Sequence, residues 1–423
     1  MNSLRILVLS EGLPYPTYKG ADLRIWQNIN GLMSVGEVGV FGLCSNDPHR
    51  FTPPPGPSFW RSSSDPELTY PPRQNQKLAS RAWFFDPRGH PSDWYYSESA
   101  VTELTDLLND FKPQIAVVES LWLHRYIDVL QQQNCQILLD SHNVETATYQ
   151  GRADRTEGND LRSRLIREVL PARTAMVERG AARATNQIWA CSAQDARIMK
   201  EVHQSPAQIH VVPNGLDLRK YDPVHIARPP TPAIVDRTRK SVAFSGMFGY
   251  WPNAAAATFL IEQFFPRLTA LFPDSQLLLI GNMPTVEMQQ AAKADRRIIV
   301  TGMVPDTLPY LTAASVLVAP IFEGGGSRFK ILEALAARIP MVSTAKGAEG
   351  LEVKDGTHLL LAETPDQFIE ALRRIWTDED LRARLQLNGY DLVRQNYSWD
   401  AAHRQIRNAV LELTSSEARP TLK

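Results

Sequence analysis

The most regular feature of the sequence is an alternation of short, continuous apolar runs with longer stretches of helical spacing. An apolar run of about four to eight residues is typical of a strand that is buried on both faces of a parallel sheet. Helical stretches between such runs predict right-handed βαβ units. The predicted strands are residues 5–10, 38–44, 114–119, 136–140, 187–190 and 209–212 in the first half, and 242–245, 276–280, 298–301, 316–320, 341–344 and 358–361 in the second.

Two domains are expected, because 423 residues exceed the usual size of one domain. The pattern stops between residues 217 and 240 and then restarts, so we predict one domain at 1–215 and a second at 216–396. Ser398 has the residue type of an N-cap before a last helix, and the segment 397–423 is expected to cross back to the first domain. The predicted fold class is α/β, with two doubly wound parallel sheets.

Composition narrows the class of protein. Hydrophobic residues make up 43% of the chain, and the formal net charge of −1 gives no field that favours nucleic acid. Three cysteines without a pairing pattern, and no apolar run near the roughly 18 residues that cross a bilayer, predict a reduced, cytoplasmic protein. Residues 152–183 hold eight Arg and five acidic residues. Peripheral contact with the inner membrane face is one interpretation of this segment, and a solvated helix face is the favoured one.

A long irregular segment, residues 46–99, follows the second predicted strand. Loops of this length in a compact domain are usually functional or mobile. Its aromatic residues have two interpretations of equal weight: they line an acceptor surface, or they pack beneath the loop. These residues are Trp83, Phe84, Phe85, Trp94, Tyr95 and Tyr96.

The most informative motif is EGGGSRFKILE at Glu323–Glu333, between a predicted strand and a helix. Glycines let backbone approach a ligand closely, and a helix N-terminus directs free N–H groups and a positive dipole end at an anion. The positive charges of Arg328 and Lys330 are unfavourable beside the positive end of that dipole. A bound anion would compensate for this repulsion. Lys330 and Glu333 share a helix face, so the motif predicts a diphosphate site with hydroxyls bound one turn away. A surface turn with a Lys–Glu pair is the alternative.

Two further loops follow predicted strands and precede helices. Gly12 and Gly20 bracket the first, and residues 246–253 form the second. The first lacks the G-x-G-x-x-G pattern of a dinucleotide site, which disfavours an NAD enzyme. Ligands of open α/β sheets bind at the carboxyl ends of strands. If the two domains face each other, these loops open into one cleft.

A histidine follows another predicted strand, in the sequence DSHNVE at 140–145. His142 at this position can contact a reacting sugar, donate to a hydroxyl or shuttle a proton, with Asn143 and Glu145 orienting it. A capping cluster for the next helix is the alternative. The sequence has no Cys/His cluster, no H-E-x-x-H and no Asp-x-Asp pair at a strand end, so we expect no metal.

Together these motifs resemble those of the GT-B glycosyltransferases of glycosyltransferase family 4, a large retaining group. The resemblance spans nearly the whole chain, although most of the motifs are weak when taken singly. They are the loop to Gly20, DSHNVE at 140–145, CSAQD at 191–195, VPNGLD at 212–217, FSGM at 244–247, Gly302, KILEALA at 330–336 and STAKGAEG at 343–350.

The resemblance implies two Rossmann-like domains around a central cleft, with a nucleotide-diphosphate sugar of the UDP or GDP type held mainly by the second domain. Glu333 would bond the ribose hydroxyls, Arg328 and Lys330 would hold the diphosphate, and His142 would approach the donor sugar. The further donor contacts would be Gly20, Gly246, Asn253, Gly302, Met303, Gly324, Gly325, Gly326 and Ser327, and the acceptor contacts would be Trp94, Tyr95 and Asn143.

Two positions depart from the family pattern. The family commonly has two glutamates with seven residues between them, and with Glu333 as the second, the first falls on Gly325. Glu323 lies two residues upstream and is the candidate replacement. Asn253 stands where many members have a basic residue.

The implied activity is transfer of a hexose to an acceptor hydroxyl with retention of configuration, without a metal or another cofactor. The acceptor would be a glycan, a lipid-linked saccharide or a small molecule. Because Gly325 replaces a glutamate, a non-catalytic nucleotide-sugar or glycan-binding protein is an alternative. A GT-B epimerase or phosphorylase is another.

Overall fold

The computed structural model describes residues 4–17, 20–44, 53–69, 86, 89–154, 156–158, 160–324 and 328–416. The chain divides into two compact units. Unit 1 contains the residues up to Asn214 and those from Ala402 onward, and unit 2 contains Gly215–Gly324 and Arg328–Ala401. Each unit is built on one parallel sheet.

The sheet of unit 1 contains seven strands within the described ranges: β1 Arg5–Gly12, β2 Glu37–Cys44, β3 Phe59–Ser62, β4 Ile115–Glu119, β5 Gln136–Ser141, β6 Gln187–Ala190 and β7 Gln208–Val211. Their order is β3-β2-β1-β4-β5-β6-β7, with every pair parallel. The chain therefore winds first to one side of β1 and then, from β4, to the other.

Helices cover both faces of this sheet. They are α1 Gly20–Met33, α2 Glu98–Phe111, α3 His124–Gln131, α4 Glu145–Ala153, α5 Leu161–Arg164, α6 Leu170–Ala184 and α7 Ala193–Glu201, with a π-helical turn at Leu165–Val169. Two separate clusters of buried hydrophobic residues form the core. All five residues of β4 are buried, as a strand between two helical layers requires.

The sheet of unit 2 contains β8 Lys240–Ser245, β9 Ser275–Ile280, β10 Ile298–Val300, β11 Val316–Ala319, β12 Met341–Ser343 and β13 Leu360–Leu361. Their order is β10-β9-β8-β11-β12-β13, again with every pair parallel. The helices are α8 Trp251–Phe259, α9 Phe265–Leu271, α10 Val286–Ala294, α11 Leu308–Ala313, α12 Phe329–Ala336, α13 Pro365–Thr377 and α14 Glu379–Asn396, with a π-helical turn at Leu260–Phe264.

The last helix, α15 Trp399–Ser416, begins in unit 2 and belongs to unit 1 from Ala402 onward. The hydroxyl of Ser398 accepts from the Ala401 N–H at 3.2 Å, which confirms the predicted N-cap. A Cβ on Gly31 of α1 would lie 2.7 Å from Ile406 Cδ1, so the glycine lets these two helices approach closely.

The predicted α/β fold class is confirmed, and each of the twelve predicted strands is present. One strand, β3, was not among those predicted. This strand reads FWRS and is half-buried to exposed, so it lacks the apolar run by which a fully buried strand is recognised.

Candidate functional site

The candidate site of unit 2 lies where its strand order reverses. β8 and β11 are neighbours in the sheet, although the chain passes through β9 and β10 between them. The loop after β8 leads into α8, and the loop after β11 leads into α12. Ligands of doubly wound sheets bind outside the carboxyl ends of the strands at such a switch point. The two motifs of the second half of the sequence therefore emerge from neighbouring strands.

Lys330 lies in the first turn of α12 at this switch point. Its Nζ donates to Asn253 Oδ1 at 2.6 Å and lies 4.4 Å from the centroid of the Phe244 ring. Asn253 is itself fixed, because its Nδ2 donates to the Met247 carbonyl at 2.9 Å. Burial and, after it, the charge of Arg328 lower the pKa of Lys330 to about 7. The amine is thus positioned but only partly charged at neutral pH.

Arg328 is the N-cap residue of α12. Its Nε donates to the Glu349 carbonyl at 3.2 Å, and its Nη2 lies 3.5 Å from Glu349 Oε2. A guanidinium has five N–H donors in a fixed fork. Arg328 can therefore keep its contact with Glu349 and still donate to an anion in front of the helix.

Glu333 lies one turn beyond Lys330 on α12. Its Oε1 accepts a hydrogen bond of 2.9 Å from the hydroxyl of Tyr221. Burial raises the pKa of Glu333, and Tyr221, Lys220 and Lys330 oppose that rise. The hydrogen bond from Tyr221 positions this carboxylate. Because the side chain is only partly buried, it can accept from ligand hydroxyl groups near the two cations.

Glycines let the loops at this edge of the sheet pack closely. A Cβ on Gly246 would lie 2.8 Å from the Asn253 side chain, which is the partner of Lys330. Gly324 has a φ of +84°, a conformation that side chains disfavour, and its Cβ would meet Pro252 and Tyr250 at 2.8 and 3.2 Å.

The other predicted donor residues of unit 2 lie in loops that follow strands. Gly302 and Met303 follow β10, and the side chain of Met303 is 75% exposed. Glu323 follows β11 and is partly buried. The predicted contacts Gly325, Gly326 and Ser327 lie outside the described residues.

The candidate site of unit 1 also lies at a reversal of strand order, between β1 and β4. Gly20 opens α1, and Arg24, one turn further on, is 1% exposed. Its Nε donates to Asp140 Oδ2 and its Nη1 to the Val212 carbonyl, both at 2.8 Å. Burial alone would raise the pKa of Asp140, but Arg24 and His142 hold it well below its usual range. Asp140 is therefore ionised throughout the neutral range.

His142 follows β5 and contacts two buried carboxylates. Its Nε2 lies 3.3 Å from Glu119 Oε2 and 3.2 Å from Asp140 Oδ2. Burial alone would lower the pKa of His142, but the two acids outweigh burial and raise the pKa to about 9. Nε2 is thus the ring nitrogen that faces the two acids.

Glu119 is a site residue that sequence reasoning missed. It ends β4, and an acid at the end of a wholly buried run was the available signal. Burial and then Asp140 raise the pKa of Glu119 to about 8. Glu119, Asp140 and His142 bring potential metal ligands within 4.8 Å of one another. Arg24 and Asn28 both donate to Asp140, at 2.8 and 2.9 Å, so Asp140 is the ionised centre of the group, paired with Arg24 and His142.

Glu119 and Asp140 orient His142, and not Asn143 and Glu145 as the sequence suggested. The Nδ2 of Asn143 instead donates weakly to Glu145 Oε1, at 3.4 Å. Glu145 lies in the first turn of α4, but the N-cap residue Val144 makes no side-chain cap hydrogen bond, so the alternative that this motif caps the helix is not borne out.

Tyr95 is a core residue, 3% exposed, and Trp94 packs against the same hydrophobic cluster. The two rings are stacked with centroids 3.8 Å apart, and the Tyr95 hydroxyl donates to Glu11 Oε2 at 2.7 Å. The acceptor-surface interpretation is therefore wrong for Tyr95, and the packing interpretation holds. The other predicted aromatic residues Trp83, Phe84 and Phe85 lie outside the described residues.

Two arginines of the arginine-rich segment make local contacts. Arg167 Nη1 donates to the carbonyls of Thr156 and Gly158 at 3.1 and 2.7 Å, and Arg164 lies 3.6 Å from Glu168. These contacts fit the interpretation of a solvated helix face. Within the described ranges, the helices are too short or too polar to cross a membrane.

Comparison with known proteins finds a family match within the second unit. Residues 239–378, which contain Asn253, Arg328, Lys330 and Glu333, match the family model of glycosyl transferases group 1. A UDP-Gal:alpha-D-GlcNAc-diphosphoundecaprenol alpha-1,3-galactosyltransferase of Escherichia coli is 28% identical over 51% of this chain and 59% of its own length. A phosphatidyl-myo-inositol mannosyltransferase of Mycolicibacterium smegmatis is 27% identical over 46% of this chain and 50% of its own. The matches thus span between 50% and 59% of these relatives.

Solved structures share the fold over nearly the whole chain. Sucrose-phosphate synthase from Thermosynechococcus elongatus has a TM-score of 0.71 at 19% identity, covering 98% of this chain and 100% of its own. HepE of Anabaena in complex with UDP has a TM-score of 0.65 at 13% identity, covering 97% of this chain and 100% of its own. Residues 239–378 in the second unit thus match the glycosyl transferases group 1, and the fold of the chain is GT-B, with two Rossmann-like domains.

Proposed function

We propose that this protein is a glycosyltransferase that moves a hexose from a nucleotide-diphosphate sugar to an acceptor hydroxyl, with retention of the anomeric configuration. One observation carries the proposal: Lys330 is fixed by Asn253 at the tip of α12, beside the strand-order reversal of unit 2. Arg328 occupies the N-cap position of the same helix, and Glu333 lies one turn beyond Lys330. Cations at a helix tip with a hydroxyl acceptor one turn away suit a nucleoside diphosphate.

The donor would bind mainly to unit 2. Lys330 and Arg328 would take the diphosphate together with the backbone N–H groups of the glycine run, and Glu333 would take the ribose hydroxyls. The base would lie near Gly302 and Met303. A uridine nucleotide is favoured, because the E. coli relative is named for a UDP-galactose donor and HepE was solved with UDP.

The chemistry requires stabilisation of the leaving diphosphate. The bond from the anomeric carbon to the diphosphate oxygen breaks, the acceptor oxygen bonds to that carbon, and the acceptor proton passes to the leaving phosphate. Lys330, Arg328 and the α12 N-terminus would stabilise the leaving charge without a metal or an organic cofactor. His142 would contact the donor sugar, and Glu323 would stand in for the missing glutamate of the family motif.

The acceptor proposed is a glycan or a lipid-linked saccharide. The names of the two bacterial relatives contain a diphosphoundecaprenol and a phosphatidyl-myo-inositol group, both of which are lipid-anchored. We accordingly place the reaction in the cytoplasm, with peripheral contact at the inner membrane face. A small-molecule acceptor is the alternative.

A second candidate is a non-catalytic nucleotide-sugar or glycan-binding protein, because Gly325 stands in place of the first motif glutamate. An epimerase on the same fold is a third. The three differ in what they do to the donor: a transferase consumes it with acceptor, an epimerase converts it without acceptor, and a binding protein leaves it unchanged.

The test begins with calorimetric titration of UDP and GDP, followed by incubation of UDP-glucose, UDP-galactose and GDP-mannose with GlcNAc-diphosphoundecaprenol or with free saccharides. We expect one nucleotide to bind and one donor to be transferred, with NMR showing the donor's anomeric configuration in the product. Binding without turnover would support the binding protein, and conversion without acceptor would support the epimerase. Absence of binding by every nucleotide would end the proposal.

A further inference from the structure

Tyr221 is a buried residue whose side-chain hydroxyl points at Glu333. The side chain is 3% exposed, and its hydroxyl donates to Glu333 Oε1 at 2.9 Å. Burial and then the Glu333 charge raise the pKa of Tyr221 well above its usual value. The hydroxyl is therefore a hydrogen-bond donor over the whole neutral range and holds one of the two carboxylate oxygens.

The segment that carries Tyr221 has a second attachment to the same helix. Tyr221 lies between two 3₁₀ turns, Leu218–Lys220 and Asp222–His225. In the second turn, the Nε2 of His225 lies 2.8 Å from the carbonyl of Ala336, the last residue of α12. Because the His225 contact already fixes the segment at the end of the helix, the buried phenol is not needed merely to attach it.

The surroundings of Glu333 make the direction of its free oxygen important. Lys220 and Lys330 both favour the ionised carboxylate, while Asp306 disfavours it. Lys220 is itself shared, since its Nζ lies 3.3 Å from Asp306 Oδ1. Without the phenol, the Glu333 carboxylate could rotate towards either lysine. With it, one oxygen is held and the other has a defined direction.

We propose that Tyr221 is a positioning residue that fixes the Glu333 carboxylate, so that its second oxygen receives a ribose hydroxyl and the donor site selects ribonucleotides over 2′-deoxyribonucleotides. This rests on the proposed function, because it takes the ligand to be a nucleoside diphosphate. Tyr221 acts through Glu333 and need not touch the reacting atoms. The specificity arises because a positioned acceptor is left without a partner when the hydroxyl is missing.

The experiment compares UDP with 2′-deoxy-UDP by calorimetry on the wild type, Tyr221→Phe and Glu333→Gln, using GDP and 2′-deoxy-GDP if the wild type binds the guanine nucleotide. We expect Tyr221→Phe to weaken UDP binding about tenfold, the scale of one hydrogen bond to a charged group. Binding of 2′-deoxy-UDP should change less than about threefold, so the preference for the ribonucleotide should largely disappear. The double variant should lose little beyond Glu333→Gln alone.

Tyr390→Phe is the matched control, because the Tyr390 hydroxyl also donates to a carboxylate, that of Asp222, at 2.8 Å, but on the surface of unit 2. It should bind both nucleotides as the wild type does. A Tyr221→Phe protein that keeps the wild-type preference would overturn the inference, and so would equal weakening of both nucleotides. If wild-type protein binds neither UDP nor GDP, the proposed function fails first, which distinguishes the two failures.

Discussion

At the scale of single residues, Lys330 and His142 show that burial does not determine protonation by itself. Burial disfavours the charged form of both side chains. Lys330 has Arg328 as a further unfavourable neighbour, and its pKa falls to about 7. His142 has Glu119 and Asp140 within 3.3 Å, and its pKa rises to about 9. A bound anion would therefore raise the pKa of Lys330, whereas His142 already has acidic partners beside it.

This difference predicts that nucleotide binding takes up a proton. A bound diphosphate would raise the pKa of Lys330, so at pH 8, above the value of about 7 in the free protein, the lysine must gain its proton on binding. The dissociation constant of UDP should therefore rise as pH increases above 7, by up to about tenfold per pH unit. Calorimetry at pH 8 in buffers of different ionisation enthalpy should show close to one proton bound per UDP.

Lys330→Arg is the control for this prediction. An arginine stays charged in proteins, so the variant should bind UDP with little proton uptake and a flatter pH dependence. If the wild-type binding enthalpy were the same in every buffer at pH 8, the low pKa of Lys330 would be contradicted.

At the scale of elements, a buried acid from one helix caps another. Glu178 of α6 is 1% exposed and accepts from the backbone N–H groups of Glu145 and Thr146, at 2.8 and 3.1 Å, in the first turn of α4. It also lies 2.9 Å from Nε2 of the buried His203. Because α4 directly follows the His142 loop, this cap helps to fix where that loop ends.

Glu178→Ala should destabilise unit 1, because it leaves two N–H groups of the first turn of α4 without their acceptor. We expect a loss of at least about 2 kcal/mol in the free energy of unfolding, since each buried donor left without a partner costs about 1–3 kcal/mol. Chemical denaturation followed by circular dichroism measures this loss. Glu168→Ala removes an exposed pair with Arg164 and should cost less than about 1 kcal/mol. Equal effects of the two substitutions would contradict the capping role.

Helices and strands were predictable from the sequence where their burial produces a recognisable pattern of apolar residues. The strands of both sheets read as apolar runs because helices cover them on both faces, and the Ser398 N-cap was visible as a residue type. β3 was not predictable, because its side chains are half-buried or exposed. Glu119 was also missed, because a single acid after an apolar run looks the same whether it faces solvent or a buried histidine.

At the scale of the whole molecule, the alternation of strands and helices was sufficient to predict two doubly wound α/β domains, and the motifs were sufficient to predict the family. The partners within each site were not predictable. Tyr221 and Glu333 are 112 positions apart, and Arg24 and Asp140 are 116 apart. Such pairs depend on how the parallel strands are ordered, and the hydrophobic pattern of a single sequence does not reveal that order. How the domains face each other stays a prediction.

The central claim is that cations at the tip of α12 bind the diphosphate of an activated sugar. The most direct measurement is the rate of hexose transfer by Lys330→Ala compared with wild type and with Lys293→Ala, a change at an exposed position of α10. We expect a loss of at least about 10²-fold for Lys330→Ala, the scale of one charge-stabilising donor, together with weaker UDP binding and no change for Lys293→Ala. Near-wild-type turnover by Lys330→Ala would contradict the central claim.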